Sequence, residues 1–120
     1  MSDKINFGKL GEDLAANFLL DKGYRLLERN WRNHHKEIDI IAEDDGRIVV
    51  VEVKTRKSDD FGEPELAVNS RKQSLLISAA DAYILSKGLD CEVRFDIISI
   101  VIKDGEPCID HIEDAFQPRF

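Results

Sequence analysis

The stretch that most constrains this chain runs from Glu37 to Lys54, where two β-branched apolar runs, Ile38-Asp39-Ile40-Ile41 and Ile48-Val49-Val50-Val51, flank Asp45-Gly46. Such runs favour strands, and Asp-Gly is the pair that a two-residue type I′ turn prefers, because both central residues need positive φ. A β-hairpin is therefore predicted, and its turn sets the register. Asp44 faces Arg47, Glu43 faces Ile48, Ile41 faces Val50, Asp39 faces Glu52 and Glu37 faces Lys54. Side chains alternate between faces. Ile38, Ile40 and Ala42 then share a wholly apolar core face with Val49, Val51 and Val53, while Glu37, Asp39, Glu52 and Lys54 share the other.

That register places two carboxylates directly across the ladder, which destabilises a sheet unless something offsets the repulsion. A hard divalent cation held by both acids does so, and Lys54 adds a positive charge on the same face. A carboxylate pair with a lysine beside it suits metal-assisted hydrolysis. The plainer alternative is a solvated strand face whose charges only keep the protein soluble. Against it, both strands are mostly apolar, as central strands buried on two faces are.

An Asp on one strand followed, after a hairpin, by Glu-X-Lys on the next resembles the PD-(D/E)XK nuclease superfamily. Here these residues are Asp39 and Glu52-Val53-Lys54. Proteins of that group tend to carry an acid on the helix before the hairpin, and Glu12, in Gly8-Lys9-Leu10-Gly11-Glu12, occupies that place. The opening helix, Glu37-Ile38-Asp39-Ile40-Ile41, Val51-Glu52-Val53-Lys54-Thr55-Arg56 and a Lys-rich helix ending Ala-Tyr together look like the YraN family of small, uncharacterised endonuclease-like proteins. The resemblance covers nearly the whole chain. One departure is that the Pro-Asp of the superfamily's name is Ile38-Asp39 here.

The resemblance implies an endonuclease, similar to Holliday-junction resolvases, that uses Mg²⁺ or Mn²⁺ to hydrolyse phosphodiester bonds of nucleic acid, structured DNA above all. Asp39 and Glu52 would hold the metal, with Glu12 as an added ligand, directly or through water. Lys54 would orient the attacking water or stabilise charge on the phosphate. Small nucleases of this type often act as C2 dimers, so a homodimer is expected by the same resemblance. Read from its own surroundings alone, Glu12 is equally an ordinary first-turn acid favoured by the helix dipole.

The net charge of −7 argues against a nucleic-acid partner, since phosphate binding usually shows as a basic surface. Its distribution softens that argument. Residues 91–120 hold three Lys/Arg against seven Asp/Glu, and residues 37–54 hold two against six, whereas residues 1–36 hold seven against five. Two further readings therefore stay open: an accessory of the same fold that binds or processes nucleic acid with little or no turnover, and an acidic protein-interaction module. Divalent-metal binding separates the nuclease and the accessory from the interaction module, and turnover separates the nuclease from the accessory.

With 120 residues and 42% hydrophobic content, one domain spanning residues 1–120 has material for its own core. No run approaches a transmembrane span and the start lacks a signal-peptide segment, so a cytoplasmic protein with no membrane partner is expected. Cys91 and Cys108 lack zinc-site spacing and read as free thiols.

In chain order, a helix is predicted from Phe7 to Lys22, with an apolar stripe of Leu10, Leu14 and Phe18, Glu12 at the stripe's margin near Leu19, and Gly23 past its end. Tyr24 to Trp31 reads as a strand, His34 and His35 as a polar connection, and Thr55 to Glu65 as a loop beside the site. Ser70 and Gln73 form a capping box for a second helix running to Ser86, with Leu76, Ala79, Ala80, Tyr83 and Ile84 on its apolar face and Gly88 beyond. Cations in its first turn, Arg71 and Lys72, oppose the helix dipole and are candidates for holding an anion. Arg56, Lys57, Lys72 and Gln73 are the candidate nucleic-acid contacts. Glu92 to Ile102 reads as a strand parallel to the one bearing Glu52, followed by an Asp104-Gly105 turn that pairs Val101 with Cys108. A last segment covers Pro107 to Ile112, and the tail from Glu113 is expected to be loosely attached. The resulting class is α/β, of order αβββαββ with a mixed sheet, the restriction-endonuclease-like arrangement.

Overall fold

In the computed structural model, which describes residues 6–57 and 68–118, the expected hairpin forms the middle of the sheet. Asp45 and Gly46 take φ of 54° and 80°, the positive pair of a type I′ turn. The elements are α1 (Phe7–Asp21), β1 (Arg25–Asn33), β2 (Lys36–Asp44), β3 (Arg47–Lys57), α2 (Ser70–Lys87), β4 (Val93–Lys103) and β5 (Glu106–Phe116). The five strands lie in the order β1-β2-β3-β4-β5. All neighbours are antiparallel except β3 and β4, which are parallel because α2 crosses between them.

Each face of the sheet is covered by one helix, which is why the central strands are apolar on both sides. α1 lies on a cluster containing Ile40, Ala42, Val49, Val51, Ile98 and Ile100. The opposite cluster holds Leu76, Ala79, Ala80 and Tyr83 of α2 against Ile41, Val50 and Ile97. No helix among the described residues is long and apolar enough to cross a membrane.

Four local expectations are corrected. The residues of α1 that are buried are Gly11, Ala15, Ala16 and Leu19, whereas Leu10, Leu14 and Phe18 are only half-buried. Small residues face the sheet because the helix sits close to it: a Cβ at Gly11 would fall 2.9 Å from the Thr55 Cβ and overlap its hydroxyl. The cap of α2 is Asn69, whose side chain accepts from the Lys72 N–H at 3.0 Å, so Ser70 and Gln73 do not form a capping box. Gln73 instead donates its Nε2 to the Val68 carbonyl at 2.9 Å.

Thr55, Arg56 and Lys57 continue β3, paired with Ile100, Val101 and Ile102, so they are not loop; the rest of the expected loop, 58–65, lies outside the described residues. Finally, β5 runs on to Phe116, and the segment from Glu113 is anchored as far as Phe116. Asp114 takes φ of 53°, its N–H donates to Asp96, and Phe116 stacks on Phe95 with ring centroids 5.1 Å apart. The Val101–Cys108 pairing is as expected and both cysteines are free.

Candidate functional site

The site lies where β2 and β3 part company. Their ladder follows the expected register from Asp44 with Arg47 to Ile40 with Val51, and there it ends. Asp39 does not continue it opposite Glu52. Its carboxylate accepts the Val53 N–H at 2.9 Å, so a side chain replaces the next rung. The alternation of faces breaks at the same point: Ile40 belongs to the cluster beneath α1, yet Ile38 joins Ile41 beneath α2. The expected single apolar face of Ile38, Ile40 and Ala42 is therefore split.

The cause lies partly in β1, where Asn30, between the pairs Arg29–Ile40 and Trp31–Ile38, takes φ of 52°. Asn tolerates this left-handed conformation better than most residues do. On either side of it, Glu28 and Trp31 both reach Tyr83 of α2, while Arg29 reaches Asp13 of α1 at 2.7 Å. Two neighbouring strands are thus kinked side by side, and Asp39 stands at the kink.

Asp39 lines an open cleft of about 600 Å³ together with Glu12, Glu37, Arg29, Asn30 and Val53, beside the capped start of α1. Glu12 is brought to it by the close seating of Gly11 on Thr55. Its carboxyl is pushed above the usual range by burial and by Asp39, with Arg29 opposing, and it shares a hydrogen bond with Asn30.

Glu52 is 3% exposed. Its carboxyl lies against that of Asp39. Burial first, and Asp39 second, push its pKa up to about 8, while Lys72 and Lys54 pull the other way. Lys72 Nζ lies 3.2 Å from Glu52 Oε2. The contact is not aligned as a hydrogen bond, so Oε2 is a buried oxygen without one.

Asp39 thus interacts with Glu12 on one side and with Glu52 on the other, and Lys72 and Lys54 act on Glu52, while the cleft itself is lined by Glu12 and Asp39 and not by Glu52, Lys54 or Lys72. Gln73 turns its amide to the helix cap. Arg56 lies one residue short of the end of β3, and Lys57 sits over the Phe7 ring with Nζ 5.4 Å from its centroid. Sequence reasoning missed Arg29 and Asn30, which act on Glu12. An Asn within a strand pattern was the available signal for the kink.

A second cluster, absent from the sequence reading, lies near the C-terminal end of α1. Asp96 accepts two hydrogen bonds from Arg94, at 2.9 and 2.8 Å, and one from the Asp114 N–H at 3.0 Å. His111 Nε2 lies 2.7 Å from Asp96, and its Nδ1 lies 2.8 Å from Lys22 Nζ. An ammonium only donates, so Nδ1 accepts and Nε2 donates to Asp96. Among the described residues, Asp96, His111 and Glu113 are the triplet whose donor atoms all lie within 4.8 Å of one another.

Residues 11–100 match the sequence pattern of the uncharacterised protein family UPF0102. The chain belongs to UPF0102. It is 48% identical to the UPF0102 protein of Flavobacterium psychrophilum over 97% of this chain and 98% of the relative. It is 47% identical to one from Phocaeicola vulgatus over 98% of both, and 50% identical to one from Thermodesulfovibrio yellowstonii over 94% of this chain and 97% of the relative. This is the family that the YraN resemblance pointed to. The UPF0102 match contains every residue of the strand junction from Glu12 to Lys72, whereas His111 and Glu113 lie beyond its end.

Proposed function

We propose that this protein is a divalent-metal-dependent endonuclease acting on nucleic acid, structured DNA in preference, with Mg²⁺ or Mn²⁺ held by Asp39 and Glu52 and supplemented by Glu12. The observation that carries this reading is Glu52 Oε2, buried on a central strand beside a second acid and without a hydrogen bond. Buried carboxylate oxygens are normally satisfied, and a hard cation that takes oxygen ligands satisfies this one. The donor set, three carboxyls and no thiol or imidazole, fits Mg²⁺ or Mn²⁺ better than a soft metal. When bound, such an ion supplies Lewis-acid polarisation of the phosphate and acidifies a ligated water.

Lys54, two residues along β3 from Glu52, stabilises the charge that develops on the phosphate or orients the attacking water. Arg56, Lys57 and Lys72, with Gln73 behind Lys72, hold the nucleic-acid backbone. A second reading, binding without turnover, is favoured by one observation: Lys72 already neutralises part of the charge at Glu52.

Cleavage of a panel of single-stranded, duplex, flap and four-way-junction substrates with Mg²⁺ or Mn²⁺ tests the proposal, alongside thermal melts over millimolar metal. Turnover abolished by chelation is expected, and metal should raise Tm because it binds the native state. Lys54→Ala should keep the Tm shift and lose about two to three powers of ten in cleavage rate, the scale of one preorganised electrostatic contact. Metal-dependent binding without turnover on every substrate decides for the second reading. Neither a Tm shift nor turnover overturns both.

A further inference from the structure

Lys72 occupies a place that ordinary helix electrostatics disfavours. It lies in the first turn of α2, where the dipole repels a cation, and no acid in that turn offsets the repulsion. Its backbone N–H is fixed by the Asn69 cap, and its side chain reaches back to Glu52 Oε2 at 3.2 Å, short of hydrogen-bond alignment. The contact is a close approach of opposite charges without an aligned hydrogen bond. Glu52 is almost wholly buried, whereas the Lys72 side chain keeps 39% exposure, so one partner is fixed and the other has room to move.

We infer that Lys72 is a resident counter-ion. It stands beside Glu52 where the metal binds, and metal loading releases its ammonium to pair with a phosphate oxygen of the substrate. The inference rests on the nuclease reading and adds to it an order of events. A divalent ion and an ammonium repel one another strongly at one carboxylate oxygen, so Lys72 leaves Glu52 as the metal arrives. The released cation remains at a helix N-terminus, a favourable setting for an anion. Metal and phosphate binding are then positively coupled, and the coupling is reciprocal.

Acetylation of the individual lysines of the full chain, followed by mass spectrometry with and without saturating Mn²⁺, reads the release directly. Lys72 should react about threefold faster with Mn²⁺, the scale of losing one partly exposed ion pair. Lys87, paired with Glu28 away from the site, should not change. Glu52→Gln should give the faster rate without metal. In a Lys54→Ala background, which suppresses cleavage, Mn²⁺ should tighten binding of a short DNA duplex about tenfold, within the usual range of coupling, and adding Lys72→Met should remove that gain.

If calorimetry shows Mn²⁺ binding while Lys72 reactivity stays constant, or the gain survives Lys72→Met, the counter-ion role falls and the nuclease reading stands. If calorimetry shows no Mn²⁺ binding, the nuclease reading falls and takes this inference with it.

Discussion

Asp96 and Glu52 sit on adjacent parallel strands and are almost equally buried, 1% and 3% exposed, yet their acidities move in opposite directions. Burial pushes both upward. For Asp96 it is outweighed by hydrogen bonds from His111, Arg94 and the Asp114 N–H, which hold the carboxyl below the usual range. For Glu52 burial is reinforced by Asp39, and Lys72 approaches without good alignment. Donors, rather than depth, decide what a buried acid does. Asp96 fastens β4 to β5 and to Arg94, whereas Glu52 is held in a state that a cation would relieve.

The largest expected effect tests that contrast directly. Asp96→Asn leaves the Arg94 charge, 11% exposed, without its two-point partner and should cost about 3 to 5 kcal/mol in chemical denaturation. Glu52→Gln should leave stability at neutral pH unchanged or raise it. Equal losses in the two variants would erase the distinction.

The next effect is in pH. Glu52 has a folded pKa of about 8 against an ordinary 4.5, so the folded state holds its proton more tightly than the unfolded chain does. Stability should therefore fall as pH rises from 4.5 towards 8, by no more than about 1.4 kcal/mol per pH unit, and Glu52→Gln should flatten that slope. Asp96 works the other way: its contribution is complete above the ordinary value of 3.8 and is lost as pH falls through its lowered folded value. A wild-type profile unchanged by Glu52→Gln would mean that Glu52 is as well satisfied as Asp96.

The smallest effect separates the two regions in space. Gly11→Ala should cost about 1 to 3 kcal/mol as α1 is lifted from Thr55, with part recovered by Thr55→Ala. Because Glu12 follows Gly11, the metal-induced rise in Tm should shrink as well. The pH dependence carried by Asp96 should not move.

The hairpin register was legible because Asp45-Gly46 admits essentially one turn, and each rung down to Ile40 and Val51 follows from it. The breakdown at Asp39 was not legible from the hairpin, since it is shared with Asn30 on a third strand. The sheet-facing side of α1 was misread because large apolar residues usually mark a core stripe, whereas here Gly11, Ala15 and Ala16 permit a close approach. Asn69 and Ser70 are both good caps, and adjacency alone does not choose between them. The attachment of the C-terminal segment had a signal that went unused: Asp96, one acid inside Phe95-Asp96-Ile97-Ile98, needs several donors once that run is buried. The nearness of Asp39 to Glu52 was readable from the hairpin, but the contact of Lys72 with Glu52 depends on the reach of one side chain from a neighbouring helix.

The bond from Val53 to Asp39 gives the protein a natural reporter. Most strand amides exchange with deuterium only as the sheet itself opens, but this one is held by a side chain, at 2.9 Å, next to the residue that would give up an electron pair to a metal. Its NMR resonance and its exchange rate will follow the state of a single carboxylate while the rest of β3 stays silent.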